Sequence, residues 1–243
     1  KLIVMSATYR QSAIVSPEKL EKDPDNRLLS RGPRFRMDAE MVRDYALEVS
    51  GLLVPTIGGP SVKPYQPPGV WESIAMTGST TSQYVQDTGD NLYRRSLYTF
   101  IKRMAPPASL DIFNAPNREQ CTVRRERTNT ALQALVTLND EQFVEAARRF
   151  AENTLKQGAA TDVDRLQWAA QRLLCREFRT EELQILSESL SELSAYYQDH
   201  SEEAIELTRT GESKPDAGLD ADTLAAWTML CNEMMNLDEV LNK

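Results

Sequence analysis

Four arginines, Arg118, Arg124, Arg125 and Arg127, crowd into one stretch, DIFNAPNREQCTVRRERTNTALQALVTLND (residues 111–140). A guanidinium is a planar fork of donors that matches carboxylate, sulfate or phosphate. The group lies just ahead of a predicted helix at Thr130, whose free N–H groups would add to an anion pocket. More basic residues, Arg94, Arg95, Lys102 and Arg103, precede it. The candidate ligand-binding set is therefore Arg95, Arg118, Arg124, Arg125 and Arg127. The same residues permit a structural reading, in which they pair with Asp111, Glu119 and Glu126 or with an acidic C-terminal part and tie the two halves together. Buried or interface arginines are usually paired, which favours that second reading.

Other chemistries find less support. Asp87, Asp90 and Asn91, like Asp23, Asp25 and Asn26, could offer oxygen ligands to a hard cation. Neither group has a recognised loop spacing, so turn and cap chemistry is the expectation. Three cysteines and the single His200 are too few for a zinc or haem site, and no metal ligands are assigned. Cys175 and Cys231, each after a leucine on a helical stripe, read as buried thiols, and Cys121 lies in a polar loop. Spacing leaves a disulfide between any two of the three open. There is no GxSxG, and His200 sits in an acidic stretch, which argues against a Ser-His triad. No catalytic residue is assigned. Tyr65, Trp71 and Tyr84 could stack on sugar rings, but anchoring of a loop is the better reading.

The elements that must position these residues follow from length, charge and periodicity. A chain of 243 residues, 41% hydrophobic and 26% charged, reads as globular. Residues 1–139 hold 18 Lys and Arg against 14 Asp and Glu, whereas residues 140–243 hold 10 against 22. The halves thus carry +4 and −12 of the net −8. The acidic half is a poor partner for nucleic acid or an anionic membrane, and any anion site belongs in the first half. No apolar run approaches the ~20 residues of a membrane span. The opening KLIVMSATYR has no initiator Met, so the chain reads as a piece of a longer protein.

Residues 1–12 have a mixed pattern that could open as helix. Ser16-Pro17-Glu18 signals a short helix ended by Asp23-Pro24, and residues 27–36 read as an ordered loop. An amphipathic helix runs from Asp38 to Pro55, with Met41 through Leu53 on its stripe. Residues 55–91, with five prolines and five glycines, form an unusually long loop. Residues 91–104 keep helical spacing, with a strand as the lesser alternative. Thr130 should cap a helix over 131–138, and Asn139 the next one. Helical stripes follow over 162–177, 181–198 (capped by Thr180, with Leu183, Ile185, Leu186 and Leu190 inward) and 201–209. A polar hinge at 211–218 precedes a last helix that starts at Asp220.

Several long strings carry a family resemblance: SATYRQS (6–12), DPDNRLLSRGPRFRM (23–37), IGGPSVKPYQPPGVWE (57–72), YRRSLYTFIKR (93–103), CTVRRERTNTALQALVTLND (121–140) and MNLDE (235–239). Along almost its whole length the chain resembles the planctomycete DUF1553 domain, also called PSD1. The resemblance implies the C-terminal domain of a large exported protein that also carries a planctomycete cytochrome c domain and a DUF1549 domain, sometimes with a carbohydrate-associated module. It implies an extracytoplasmic location (periplasmic or secreted). Haem c would then sit in an upstream domain, and no cofactor is expected within this chain. Ala131 replaces the proline of the family's TNTPLQAL, and Asn114 stands where the family often has Asp. No activity carries over from the family.

The expectation is a mainly α fold: an irregular helical domain with long ordered loops, followed by an acidic helical bundle. Residues 1–139 form the loop-rich basic part and 140–243 the bundle, with one continuous domain left open. The expected function is a non-catalytic binding or assembly module. It would hold an anionic polysaccharide or another domain of the same parent chain through the arginines. The alternative is an enzyme acting on polysaccharide, or in haem-coupled redox chemistry, with Asp87 or Asp111 and Glu126 beside the arginines.

Overall fold

Helix α5 (Glu141–Gln157) is the axis of the molecule. Its apolar stripe, Phe143, Val144, Ala147, Phe150 and Ala151, is buried, and the alanines let a second helix approach closely. That neighbour is α9 (Ala221–Met235), which offers Leu224, Ala225, Leu230 and Met234 in return. The structure is a computed structural model that describes residues 1–76, 78–157 and 161–243. Among these residues there are ten α-helices and no sheet, only isolated bridges, so the fold is mainly α. The first four are α1 (Pro17–Lys22), α2 (Ala39–Ser50), α3 (Ala108–Ile112) and α4 (Ala131–Asn139). After α5 come α6 (Asp162–Leu174), α7 (Thr180–Asp199), α8 (Ser201–Thr208), α9 and α10 (Asp238–Leu241).

Helices α7 and α8 pack on α9, and α2 packs on α5. One hydrophobic cluster runs from Met37 to Leu241 and takes in Val42 and Ala46 of α2 with the α5–α9 core. The caps form as their residues dictate. Ser16, Thr130, Thr161 and Asp220 each accept a hydrogen bond from a backbone N–H in the first turn. Gly51, at φ +77°, ends α2 in the left-handed cap that glycine makes without strain.

Several expectations are corrected. Residues 91–104 are not a helix. They form two 3-10 turns, Gly89–Tyr93 and Ser96–Tyr98, with extended residues between and after them. The reason is Arg43, buried on α2, which takes the Leu92 and Arg94 carbonyls at 2.7 Å each. Those oxygens are then lost to an α-helical ladder. The same guanidinium donates to Gln142 at 2.6 Å, and burial lowers its pKa to about 10. Residues 1–12 make successive turns rather than a helix. Helix α2 stops at Ser50, short of Pro55, and Met41 faces solvent. Asp140, not Asn139, caps α5 by accepting from Gln142 N. Thr180 is the first residue of α7 rather than its cap. Ile185 is exposed, on the outer side of α7. Cys175 is exposed too, because it is the left-handed residue that ends α6, while Cys231 is buried. All three cysteines are free.

The long loop of residues 55–91 is held by its aromatics and by Arg94. Trp71 is buried against Tyr84 and Phe100, and the Tyr84 hydroxyl donates to the Pro64 carbonyl. Arg94 donates to the carbonyls of Thr56, Gly58 and Pro60. At the far end Arg176 bridges Glu182 of α7 at 2.8 Å and Glu239 of α10 at 2.6 Å. The hydrogen bond from Arg176 holds the Glu182 carboxyl near 2, down from 4.5. A carboxylate with a depressed folded pKa stabilises the fold above its unfolded value and loses that contribution as pH falls. Replacing Arg176 with Gln should therefore lower stability at pH 6. The gap to wild type should shrink as pH drops from 4.5 towards 2, as read from urea midpoints along a pH series.

Candidate functional site

The site is built on the acids of α2. Asp38 precedes the helix, Glu40 lies in its first turn and Asp44 one turn further on, a spacing that lines carboxylates along the helix towards its positive end. The segment between α3 and α4 brings its arginines to them. Arg125 grips Glu40 with both arms, Nη1 to Oε2 at 2.5 Å and Nη2 to Oε1 at 3.1 Å. Arg127 places Nε 3.6 Å from Asp38 Oδ1 and lies over the Phe35 ring at 4.7 Å. Arg95 reaches Asp44 at 3.5 Å, while Asp44 also accepts from Ser96 N at 2.7 Å. Partial burial works to raise the Glu40 pKa. The hydrogen bond from Arg125 and the fields of Arg125 and Arg118 outweigh it, so the carboxyl ends below its usual range. The pairing thus runs to α2, rather than to Asp111, Glu119, Glu126 or the C-terminal half.

Arg124, Arg125 and Arg127 line one open depression of about 810 Å³, with Asp38, Glu126, Thr122 and Thr128. Arg125 and Arg127 meet it already partnered. Arg124 has no acid within ion-pair distance among the described residues. Arg118, at φ +64°, turns instead to a neighbouring depression of about 420 Å³ with Arg103 and Phe100. Arg95 stands apart on Asp44. The loop is shaped from below by Thr128, whose hydroxyl accepts from Asn114 at 2.7 Å and from Gln133 at 3.0 Å. Neither Asp87 nor Asp111 lines this depression. Asp87 instead accepts from Lys63 N at 2.8 Å. Asp23 likewise serves the turn that follows α1, accepting from Arg27 N and Leu28 N. No group of three or more His, Cys, Asp or Glu with metal-binding geometry occurs among the described residues.

The strongest polar assembly was not singled out from the sequence. Glu145, Arg148 and Glu152 lie on the inner side of α5 and are fully buried. Glu145 accepts from the hydroxyls of Tyr65 at 2.9 Å and Tyr93 at 2.8 Å. It also accepts from Ser213 N at 2.7 Å and Ser213 Oγ at 2.6 Å. Arg148 donates to Glu152 and to the Ser213 carbonyl, at 2.5 Å each, and Arg149 also reaches Glu152. Burial, and then the charge of Glu145, push the Tyr65 phenol well up and that of Tyr93 to about 12, so both stay donors. Residues 211–218, read as a hinge, are a strap laid over α5. Gly211 sits at φ +89°, and a Cβ there would fall within 2.7 Å of Glu145 Cβ, Cγ and Cδ. The sequence signal was available: Glu145, Arg148 and Glu152 stand at i, i+3 and i+7 of α5, a spacing that keeps them on one face of the helix.

A family model described as PSD1, a protein of unknown function (DUF1553), matches residues 1–190. The chain belongs to the PSD1 family. The PSD1 match contains the α2 acids, all five candidate arginines and the buried α5 triad. It ends within α7, before the strap and α9. No curated protein and no solved structure matches the chain.

The buried network of this PSD1 chain is testable as a stabilising unit. Glu145→Gln would remove the negative charge beside Arg148 and put an amide NH2 in place of one accepting oxygen, facing the Tyr65 hydroxyl if it takes the Oε2 position, and should cost on the order of 3 kcal/mol, the scale for breaking a buried charge network. Gly211→Ala should also destabilise, through the clash with Glu145. Urea unfolding of the two variants and of their combination should show less than additive losses, because both act on the same strap.

Proposed function

We propose that this chain is a non-catalytic docking module that binds a neighbouring domain of the same parent protein. The observation that carries this reading is the segment before α1. Leu2 (90% exposed), Ile3, Met5, Tyr9 and Ile14 (83% exposed) all face solvent, and Leu28 and Leu29, which follow α1, are exposed as well. The segment has local order. Met5 N donates to the Lys1 carbonyl, Arg10 N to Ser6, and Gly32 N ties Ser12 to the body at 2.9 Å. Gly32 is needed there, since a Cβ would lie 2.7 Å from the Gln11 carbonyl. Monomeric proteins seldom expose so many large apolar side chains in one run, and each is worth about 1.5–3 kcal/mol on full burial. The exported, cytochrome-linked setting that the family resemblance implies supplies candidate partner domains and an extracytoplasmic location. No helix among the described residues is long and apolar enough to cross a membrane.

The depression that Arg124, Arg125 and Arg127 share favours a second reading, capture of an anionic group such as a sulfated or uronate polysaccharide. Arg124, which has no acid partner among the described residues, would lead it, with the Thr122 and Thr128 hydroxyls at hand. Two of the three arginines already hold α2 carboxylates, so this reading ranks behind the first.

The docking reading is tested with the remainder of the parent protein supplied as a separate polypeptide. The wild-type chain should co-purify with it, and residues 1–15 should gain protection from protease. A Leu2→Ser, Ile3→Ser, Met5→Ser variant should lose both, while its melting temperature stays unchanged because these side chains leave the core untouched. Retained association would reject the reading. For the anionic reading, calorimetric binding of a sulfated polysaccharide should weaken in Arg124→Ala, and an unchanged affinity in an Arg124, Arg125, Arg127→Ala triple variant would dismiss it.

A further inference from the structure

Helix α4 is turned against its own sequence. In ALQALVTLN an ordinary surface helix would hide Leu132 and Leu135 and show its polar residues to water. The reverse is observed: Gln133 and Thr137 are buried, whereas Leu132 is 61% and Leu135 57% exposed, with Ala131 and Ala134 also outward. The buried polar pair is fully used. Gln133 Nε2 donates to the Ile112 carbonyl at 3.1 Å and to Thr128, and its Oε1 accepts from Arg36 at 3.3 Å. The Thr137 hydroxyl meets Asn236 Oδ1 at 2.5 Å. These bonds fix the rotation of the helix, and they fix it with an i, i+3 leucine pair facing outward beside two alanines small enough for a second backbone to approach.

We propose that this outward face of α4 is a docking surface for an amphipathic helix whose apolar stripe is flanked by carboxylates. The apolar part of the partner follows from Leu132 and Leu135, which present helical-spaced anchors. Its charge follows from the loop that runs directly into α4. That loop carries Arg124 without an acid partner among the described residues, Arg125 and Arg127 beside it, and Val123 fully in water at 102% exposure. Arg125 and Arg127 are already answered by Glu40 and Asp38, so it is the uncompensated Arg124 guanidinium at the N-terminal end of the apolar helix face that selects a carboxylate beside the partner's stripe. The surface shares no residue with the segment before α1, and it stands or falls independently of the docking proposed there.

The probe is a fluorescein-labelled, N-acetylated peptide with leucines at helical spacing flanked by glutamates, and a lysine-flanked peptide with the same leucines is its counterpart. Fluorescence anisotropy with the full chain should show binding of the glutamate peptide, and about tenfold or weaker binding of the lysine peptide. L132S/L135S should cut affinity for the glutamate peptide by about tenfold or more, and Arg124→Ala should weaken it and flatten its salt dependence. The L132S/L135S melting temperature should match wild type, which separates lost binding from lost fold. The Leu2, Ile3, Met5→Ser variant should bind the peptide normally, which separates this face from the other. Binding of neither peptide, equal binding of both, or full binding to L132S/L135S would overturn the proposal. So would concentration-dependent dimerisation in sedimentation that L132S/L135S abolishes, which would assign the face to a second copy of the chain.

Discussion

Two carboxylates and a guanidinium taken wholly out of water on α5 constrain everything packed around that helix. A buried charge is tolerated only when its remaining hydrogen-bonding capacity is met. Glu145 and Arg148 meet most of theirs with groups drawn from far along the chain: Tyr65 from the long loop, Tyr93 from the 3-10 turn, and Ser213 from the strap between α8 and α9, while Arg148 Nε is left without a partner among the described residues. The network therefore works as a register pin. It sets where the loop-rich first part lies on the helical second part, which apolar contacts alone, being non-directional, would specify less sharply. Arg43 does similar work nearby. Its four backbone and side-chain acceptors, three of them in the segment after residue 91, decide that this segment is extended and turned instead of helical.

The basic region is organised by α2, and this changes what the arginines are free to do. Arg95, Arg125 and Arg127 are laid along Asp44, Glu40 and Asp38, so most of the positive charge that looks available in the sequence is already answered inside the same half of the chain. Of the five candidate arginines, Arg124 and Arg118 are left over among the described residues. A surface with a small residual positive charge beside an inverted apolar helix suits recognition of a protein partner better than the capture of a highly charged polymer, where many unpaired cations would be expected.

Much of the local structure could be read from residue types. Ser16, Thr130, Thr161 and Asp220 cap helices because a short side chain with an acceptor satisfies a first-turn N–H wherever it occurs. The stripes of α5 and α9 were legible because several apolar residues repeat at helical spacing and all face one core. Expectations failed where a distant group intervened or where an apolar position met no neighbour. Residues 91–104 have helical spacing, but Arg43 claims their carbonyls. Cys175 follows a leucine on a stripe, yet it falls one residue past the last turn and points outward. Ile185 has the hydrophobicity of a core residue without a neighbour to cover it. At the candidate site, the crowding of arginines was visible, and their division among α2 acids, one depression and its neighbour was not.

The sequence by itself determined the helical class, most helix starts, the long proline- and glycine-rich loop, and the uneven distribution of charge, because each depends on residues close together in the chain. Only the tertiary structure decided which acid each arginine meets, that Glu145 and its partners are buried, and that α4 shows its leucines to water. Those outcomes rest on contacts between residues as much as 147 positions apart, such as Tyr65 and Glu212, and periodicity along one segment holds no information about the segment that will lie against it.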